Sequence, residues 1–271
     1  MDNLKQQFLG FINTSALFQE IDGLQQFTFN NEEIKDFDFT QLEITKNLTL
    51  GKRVECFFEF YIKQSKNYQL IKNNIQIIEN KCTLGELDFI IYDKKEHKYI
   101  HIEHVYKFYL YDDTIPNEID RYIGPNKNDT FVKKLTKLKN KQLPLLYKDE
   151  SKQYISDIPA SSFEQKVCFK GQVYLPFGLE KQNSTLVNDT CISGFYIKHD
   201  DFVGEKMFQK YEYFLPEKFD WVRDASTNDI WYSFGDVIDT IESLLNEQKS
   251  PLVWLRDVQN NTTKSFFVVW W

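Results

Sequence analysis

Two neighbouring apolar runs separated by a short polar segment limit the fold of this chain more than any other feature. The first run covers 87–92, the polar segment 93–96 and the second run 99–110. Both runs are rich in aromatic and β-branched residues, which favour strands, and the segment between them carries residues typical of turns. The pattern predicts an antiparallel β-hairpin.

Apolar spacing predicts further elements on both sides of this hairpin. A short amphipathic helix is expected over 8–18 and a longer one over 51–63, with Glu55 near the margin of its apolar face. A lysine-rich helix should run from about 129 to 142 and stop before Pro144, because proline interrupts a helix. Residues 25–49 give no clear assignment. The remaining expectations are apolar runs at 68–71 and 75–78 (the second a strand), strands at 167–175, 191–197 and 265–271, and a helix at 234–245.

Composition and charge exclude several classes of protein. Of the 271 residues, 42% are hydrophobic and 16% aromatic, which is typical of a folded globular chain and not of a disordered one. No apolar run approaches the roughly 18 residues of a membrane helix, and the start lacks a secretory signal, so a cytoplasmic location without membrane contact is expected. The isolated cysteines indicate reduced core residues. The net charge of -7 argues against indiscriminate coating of nucleic acid, although a local basic surface remains compatible with it.

Three acidic residues are placed so that they can form one site. Glu55 lies on the predicted helix, Asp88 on the first strand of the hairpin and Glu103 on the second. Asp88 and Glu103 can face each other across the hairpin, where two close carboxylates repel unless a hard cation neutralises them. Mg²⁺ or Mn²⁺ suits such all-oxygen ligands.

These segments resemble the core of the PD-(D/E)XK nuclease superfamily. The resemblance rests on 85–90 (Gly-Glu-Leu-Asp-Phe-Ile), on Ile102-Glu103, and on 51–55, which is similar to the first helix of the superfamily. Within it, the chain resembles an uncharacterised bacterial family of unknown function. The matching segments are 85–89, 101–110, 124–126 (Gly-Pro-Asn), 129–135 and Gln142-Leu143, with weaker likeness later in the chain. The resemblance implies an α/β fold with a restriction-endonuclease-like core, a mixed sheet flanked by helices, in residues 1–150. Residues 151–271 would then be a sheet-rich extension packed on that core, either as a separate domain or as part of the same one.

The same resemblance implies a nuclease that depends on Mg²⁺ or Mn²⁺ and hydrolyses phosphodiester bonds in DNA. Asp88 and Glu103 would hold the metal together with the backbone carbonyl of His104, and Glu55 would position a water. The superfamily places its catalytic lysine two residues after the glutamate, where this chain has Val105. Lys107 is the candidate instead, although it lies roughly 13 Å along the strand from Glu103.

Other residues would support the site or contact nucleic acid. A β-bulge could bring Lys107 closer, or Lys134 of the lysine-rich helix could replace it. Glu86, His101 and Gln142 are expected to surround the metal ligands. Gln142 is similar to the glutamine of RecB-like nucleases, although the tyrosine expected four residues later is absent. The lysines expected beside the phosphate backbone of the nucleic acid are Lys133, Lys134, Lys137 and Lys141.

Simpler interpretations stand beside each of these. Asp88 and Glu103 could be ordinary surface carboxylates, Lys107 could be a charge that protects a strand edge, and the lysine-rich helix could be a solvated face. His101 and His104 point to opposite faces of a regular strand, which disfavours a zinc site. Two further classes of function stay open: a nuclease-like module that binds nucleic acid or a partner without cutting, and a protein-interaction scaffold.

Overall fold

The structure, a computed structural model, describes residues 3–44, 48–155, 158–182 and 184–271. The expected mixed α/β architecture, with a mixed sheet flanked by helices, is confirmed. The helices are α1 (Asn3–Asn13), α2 (Leu50–Gln64), α3 (Phe131–Lys137), α4 (Leu143–Leu145), α5 (Asp149–Lys152), α6 (His199–Gly204) and α7 (Phe234–Asn246). The strands are β1 (Glu20–Ile21), β2 (Leu24–Gln25), β3 (Tyr68–Glu79), β4 (Cys82–Asp93), β5 (Lys98–Tyr111), β6 (Tyr122–Ile123), β7 (Phe163–Pro176), β8 (Ile192–Lys198), β9 (Glu212–Phe214), β10 (Leu252–Asp257) and β11 (Thr262–Val269).

The chain divides into two compact units, each built from separate segments. The site unit comprises 16–106 and 132–170, and the second unit comprises 1–15, 107–131 and 171–271. The segments of the two units alternate along the chain, whereas the sequence analysis expects two consecutive regions, 1–150 and 151–271. The division into domains at residue 150 stays a prediction. Within the described residues, no helix is both long enough and apolar enough to span a bilayer.

In the site unit, a sheet with the strand order β3-β4-β5-β7 is covered by helices on both faces. Phe89 packs against Phe58 of α2, with ring centroids 4.7 Å apart. Ile90, its neighbour on β4, belongs to a buried cluster with Leu145 and Leu146. Because consecutive strand residues point to opposite faces, α2 covers one face and the α3–α5 segment covers the other.

The second unit contains a mixed sheet with the order β7-β8-β11-β10-β9. The pairs β7–β8 and β8–β11 are parallel, whereas β10 pairs antiparallel with both β11 and β9. Strand β6 pairs with the end of β5 in this unit. Helix α7, which starts with a capping box of Ser233 and Asp236, buries Val237, Ile241 and Leu245 in the core.

The structure confirms the predicted hairpin and corrects two of the predicted helices. Strands β4 and β5 pair antiparallel around the turn at 94–97. The first helix covers Asn3–Asn13 and not 8–18, so Leu17 lies beyond its end, buried in the segment that follows. The lysine-rich helix does not stop before Pro144. A π-helical turn, Leu138–Gln142, precedes the proline, and the Leu143 N–H bonds to the Leu138 carbonyl five residues earlier. This widened turn admits Pro144 into the next helical turn.

Candidate active site

Asp88 and Glu103 meet where strands β4 and β5 separate. The ladder between the strands ends at the pair Phe89–Ile102, and Asp88 and Glu103 are the next residue on each strand. Asp88 is 8% exposed and Glu103 is 0% exposed. The two carboxyl groups are close enough for the Glu103 charge to act on Asp88, and Asp88 Oδ2 accepts from the backbone N–H of His104 at 2.8 Å. The expected juxtaposition of the two carboxyl groups is therefore present.

Burial dominates the electrostatics of this acidic pair. It raises the pKa of Asp88, and the neighbouring Glu103 charge raises it further. Burial also raises the pKa of Glu103, while the Lys134 ammonium and the hydrogen bonds to Asp88 and Gln142 oppose that rise. The pair thus retains a shared proton to a higher pH than isolated carboxyl groups would. A bound metal cation could neutralise the pair in place of that proton.

A chain of hydrogen bonds fixes Glu103 from the α3 side. Lys134 Nζ donates to Gln142 Oε1 at 2.9 Å, and Gln142 Nε2 donates to Glu103 Oε2. Because an ammonium group can only donate, Lys134 sets the orientation of the Gln142 amide so that its NH₂ group faces the carboxylate. Gln142 and Lys134, both predicted near the site, therefore belong to one network with Glu103.

A second chain fixes Glu103 from β7. Gln165 Nε2 donates both to the Leu143 carbonyl at 2.8 Å and to His101 Nδ1 at 2.9 Å. His101 Nδ1 must therefore be unprotonated, and its Nε2–H donates to Glu103 Oε1 at 3.0 Å. Burial lowers the pKa of His101 to about 4, so the ring is a neutral donor. Gln165 was not predicted from the sequence, because its role depends on its contact with His101, which lies 64 positions earlier in the chain.

Glu55 and Glu86 lie beside the pair in a partly exposed group that we call the rim cluster, Lys52, Glu55 and Glu86. Lys52 Nζ is 2.7 Å from Glu55 Oε2 and 3.1 Å from Glu86 Oε1. Burial raises the pKa of Glu55, Lys52 opposes that rise, and the charges of Asp88 and Glu86 add to it. Lys52 is a cation that sequence reasoning missed, although its position one helical turn before Glu55 could have revealed it.

The predicted lysines have different surroundings. Lys107 belongs to the second unit, where its Nζ lies 2.5 Å from Asp129 Oδ2. Its catalytic role stays a prediction. Lys134 is partly buried and donates to Gln142, and its catalytic role in place of Lys107 stays a prediction. Lys133, Lys137 and Lys141 are exposed on the same helical segment.

The side chains of His97, His101 and His104 do not converge on one point. The alternation of side chains along a strand predicts this for His101 and His104. His101 contacts Glu103, whereas the His104 ring packs near Phe58 and Phe89, with centroids 5.5 and 6.3 Å away. His97 lies in the turn of the hairpin, 3.2 Å from the hydroxyl of Tyr92. Among the residues that the structure describes, no group of three or more His, Cys, Asp or Glu side chains is arranged to hold a metal ion.

The acidic pair nevertheless fits the coordination habits of Mg²⁺. This ion is commonly held by one or two carboxylates and keeps several waters, so it does not need a cage of protein ligands. Asp88 and Glu103 supply oxygen donors only, and their mutual repulsion in a buried position favours a cation between them. The backbone N–H of His104 donates to Asp88. Metal binding by the backbone carbonyl of His104 stays a prediction.

Fold and site together define a mixed α/β protein with a buried acidic pair at the end of the β4–β5 ladder. The family model for a domain of unknown function, DUF1853, matches residues 12–269, and the chain belongs to this family. No significant match to a curated protein or to a solved structure was found.

Proposed function

We propose that the chain is a PD-(D/E)XK-type nuclease that uses Mg²⁺ or Mn²⁺ to hydrolyse phosphodiester bonds in DNA. The observation that carries the proposal is the buried pair of Asp88 and Glu103 at the end of the β4–β5 ladder. Keeping two carboxyl groups together away from solvent is unfavourable, and functional sites are where such arrangements concentrate.

Asp88 and Glu103 are the residues that would hold the metal. When bound there, Mg²⁺ or Mn²⁺ would stabilise negative charge on the phosphate and promote formation of the nucleophile from water. Glu55 would orient the attacking water by accepting its hydrogen bond. Lys134, whose charge already acts on both carboxyl groups, would stabilise the charge that develops on the phosphate.

The exposed lysines of the helix after residue 130 supply a surface for the DNA backbone. Lys133, Lys137 and Lys141 carry point charges that attract phosphate without reading the bases. The overall charge of -7 makes such a local surface the preferred place for a polyanion.

A cleavage assay tests the proposal. The purified chain is incubated with plasmid and linear DNA in Mg²⁺ or Mn²⁺, next to Asp88→Asn and Glu103→Gln variants. Glu96→Gln is the matched control, because it makes the same chemical change in the exposed turn of the same hairpin. We expect cleavage by wild type and by the control and its loss in both site variants. Equal cleavage by all four proteins would reveal a contaminant and remove the site.

A nuclease-like module that binds nucleic acid without cutting it is the second candidate. It is favoured by the complete burial of Glu103 and by the donors that His101 and Gln142 direct at both of its oxygens. Salt-sensitive DNA binding without cleavage in either metal would support this module over the enzyme. A protein-interaction scaffold would bind no DNA even at low salt.

A further inference from the structure

A cavity of about 520 Å³ lies in the second unit and shares no residue with the candidate active site. Its volume falls within the range of small-molecule sites. Its wall includes two cations, an aromatic ring and two hydroxyl groups. These lining residues are Arg223, Lys264, Trp221, Thr190 and Thr263.

Arg223 is a buried cation with an unused donor. Its side chain is 10% exposed, and its Nη2 donates to the carbonyl of Thr227 at 3.3 Å and to the Thr227 hydroxyl at 3.2 Å. Nη1 lies 3.6 Å from Asp220 Oδ1, which also accepts from Gln7. Arg223 Nε is buried and has no hydrogen-bond acceptor among the described residues. The guanidinium carbon also lies over the Trp254 ring, 5.5 Å from its centroid, so these contacts hold the group in the cavity wall.

The charge of the cavity wall favours an anionic ligand. Three charged residues line the cavity, the cations Arg223 and Lys264 and the anion Asp224. Asp224 already accepts from the backbone N–H of Ser226 at 2.8 Å. A guanidinium group held by neighbours presents a planar set of donors that matches phosphate, and a nearby lysine adds a point charge.

An indole ring provides a second type of contact in the same wall. Trp221 Nε1 donates to the Pro216 carbonyl at 3.2 Å, and the ring packs edge-on against Phe108 and Phe267. The ring is therefore held in place and partly exposed, with Lys218 Nζ over it at 5.5 Å from the centroid. A planar ligand group would pack on the part of the ring that lines this cavity. Thr190 and Thr263 add hydroxyl groups that can bind a sugar.

We infer that this cavity binds a phosphate monoester attached to an aromatic group, with nucleoside monophosphates as the chemical class. Arg223 and Lys264 bind the phosphate, and Trp221 contacts the base. The inference is independent of the proposed nuclease, because it uses no residue of the Asp88–Glu103 site.

Calorimetric titration of the full chain with AMP, adenosine and inorganic phosphate tests the ligand class. We expect AMP to bind at least about tenfold more tightly than either fragment, because only AMP makes both sets of contacts. Adenosine binding as tightly as AMP, or no AMP binding at millimolar concentration, would overturn the inference. Inorganic phosphate binding as tightly as AMP would overturn the aromatic part of the assignment.

Variants locate the binding site. Arg223→Lys and Lys264→Ala should each weaken AMP binding by about tenfold or more, whereas Lys206→Ala, an exposed lysine of the same unit outside the cavity wall, should not. Lys264 is exposed, so its variant stays informative if the Arg223 variant fails to fold. Wild-type affinity in both variants contradicts the assignment. Loss of AMP binding in Asp88→Asn instead would place AMP at the candidate active site and refute the inference.

Discussion

At Glu103, two side-chain donors meet a carboxylate that has no contact with solvent. His101 donates as a neutral ring because Gln165 occupies its other nitrogen, and Gln142 donates as a neutral amide because Lys134 orients it. Neither donor brings a formal charge to the carboxylate. The charge that opposes the acidic pair therefore comes from Lys134, at the far end of the amide, and this leaves a role for a divalent cation.

The raised pKa values of Asp88 and Glu103 predict a pH-dependent stability. The folded protein holds protons on these groups up to about pH 7, whereas the unfolded chain releases them near pH 4. Between these values the folded state binds more protons, so the free energy of unfolding should fall as pH rises through the window. In Asp88→Asn this fall should be smaller by on the order of 1–3 kcal/mol.

Urea unfolding between about pH 5 and about pH 8, with a chelator present, measures this difference. His101 and His104 have lowered pKa values and therefore contribute the opposite slope at low pH, but they do so in both proteins. Glu96→Gln should follow wild type. Parallel pH profiles for wild type and Asp88→Asn would show that the pair does not retain a proton.

Lys134 is predicted to act on the reaction more than on DNA affinity. Lys134→Gln removes the ammonium group that opposes the pKa rise of both carboxyl groups. Cleavage should fall by about tenfold or more, with a smaller change in the dissociation constant for DNA. Lys139→Gln is the control on the same helical segment, since Lys139 instead pairs with Asp22 at 2.9 Å. Equal losses in the two variants would assign Lys134 a general electrostatic role.

Among the elements, the β4–β5 hairpin could be predicted because its signals are local. Apolar strand residues and a polar turn lie within 25 positions of one another, and the opposed placement of Asp88 and Glu103 follows from that register. The helix Leu50–Gln64 could also be predicted from the sequence, because its apolar face is continuous. Local patterns thus located the acidic pair and Glu55.

Other features depend on contacts that no local pattern encodes. The passage of the lysine-rich segment through Pro144 requires the π-helical turn before it, and the neutral state of His101 requires Gln165 from β7. Spacing alone could not assign the lysine predicted from the resemblance to the PD-(D/E)XK nucleases, because position 105 is a valine, which the structure buries. The cations near the acidic residues come from helices, Lys52 from α2 and Lys134 from α3.

The exposed face of α3 makes a prediction about salt dependence. Each lysine that neutralises a phosphate adds about 0.9 to the slope of log affinity against log salt. Lys133→Gln with Lys137→Gln should therefore reduce the slope for duplex DNA by about 1.8. Lys94→Gln with Lys95→Gln, in the exposed hairpin turn, removes the same charge elsewhere and should leave the slope nearly unchanged. Fluorescence anisotropy across a salt series distinguishes the two pairs, and equal slopes would exclude α3 as the DNA surface.

At the scale of the whole molecule, distant segments of the chain complete each unit. The Gly-Pro-Asn segment illustrates this in the second unit: Pro125 accepts from the Ser250 hydroxyl and the Trp271 indole, and Asn126 accepts from the Ser250 N–H. The motif therefore anchors residues more than a hundred positions later. Local sequence patterns do not encode such long-range pairing.

A fragment of residues 1–150 is predicted not to fold as a stable unit. It lacks the β7 portion of the site unit, including Phe163 of the buried cluster and the Gln165 partner of His101. Thermal unfolding followed by near-ultraviolet circular dichroism should show no cooperative transition for this fragment, unlike the full chain. A cooperative transition would instead support the consecutive domains expected from the sequence.

Manganese binding to the full chain tests the central claim most directly. Titration at about pH 8, where protons compete least for the carboxylates, should detect one Mn²⁺ site in wild type and in Glu96→Gln. Asp88→Asn and Glu103→Gln should lose that site while remaining folded by circular dichroism. Failure of wild type to bind Mn²⁺, or unchanged binding in both variants, would contradict a metal centre built on Asp88 and Glu103.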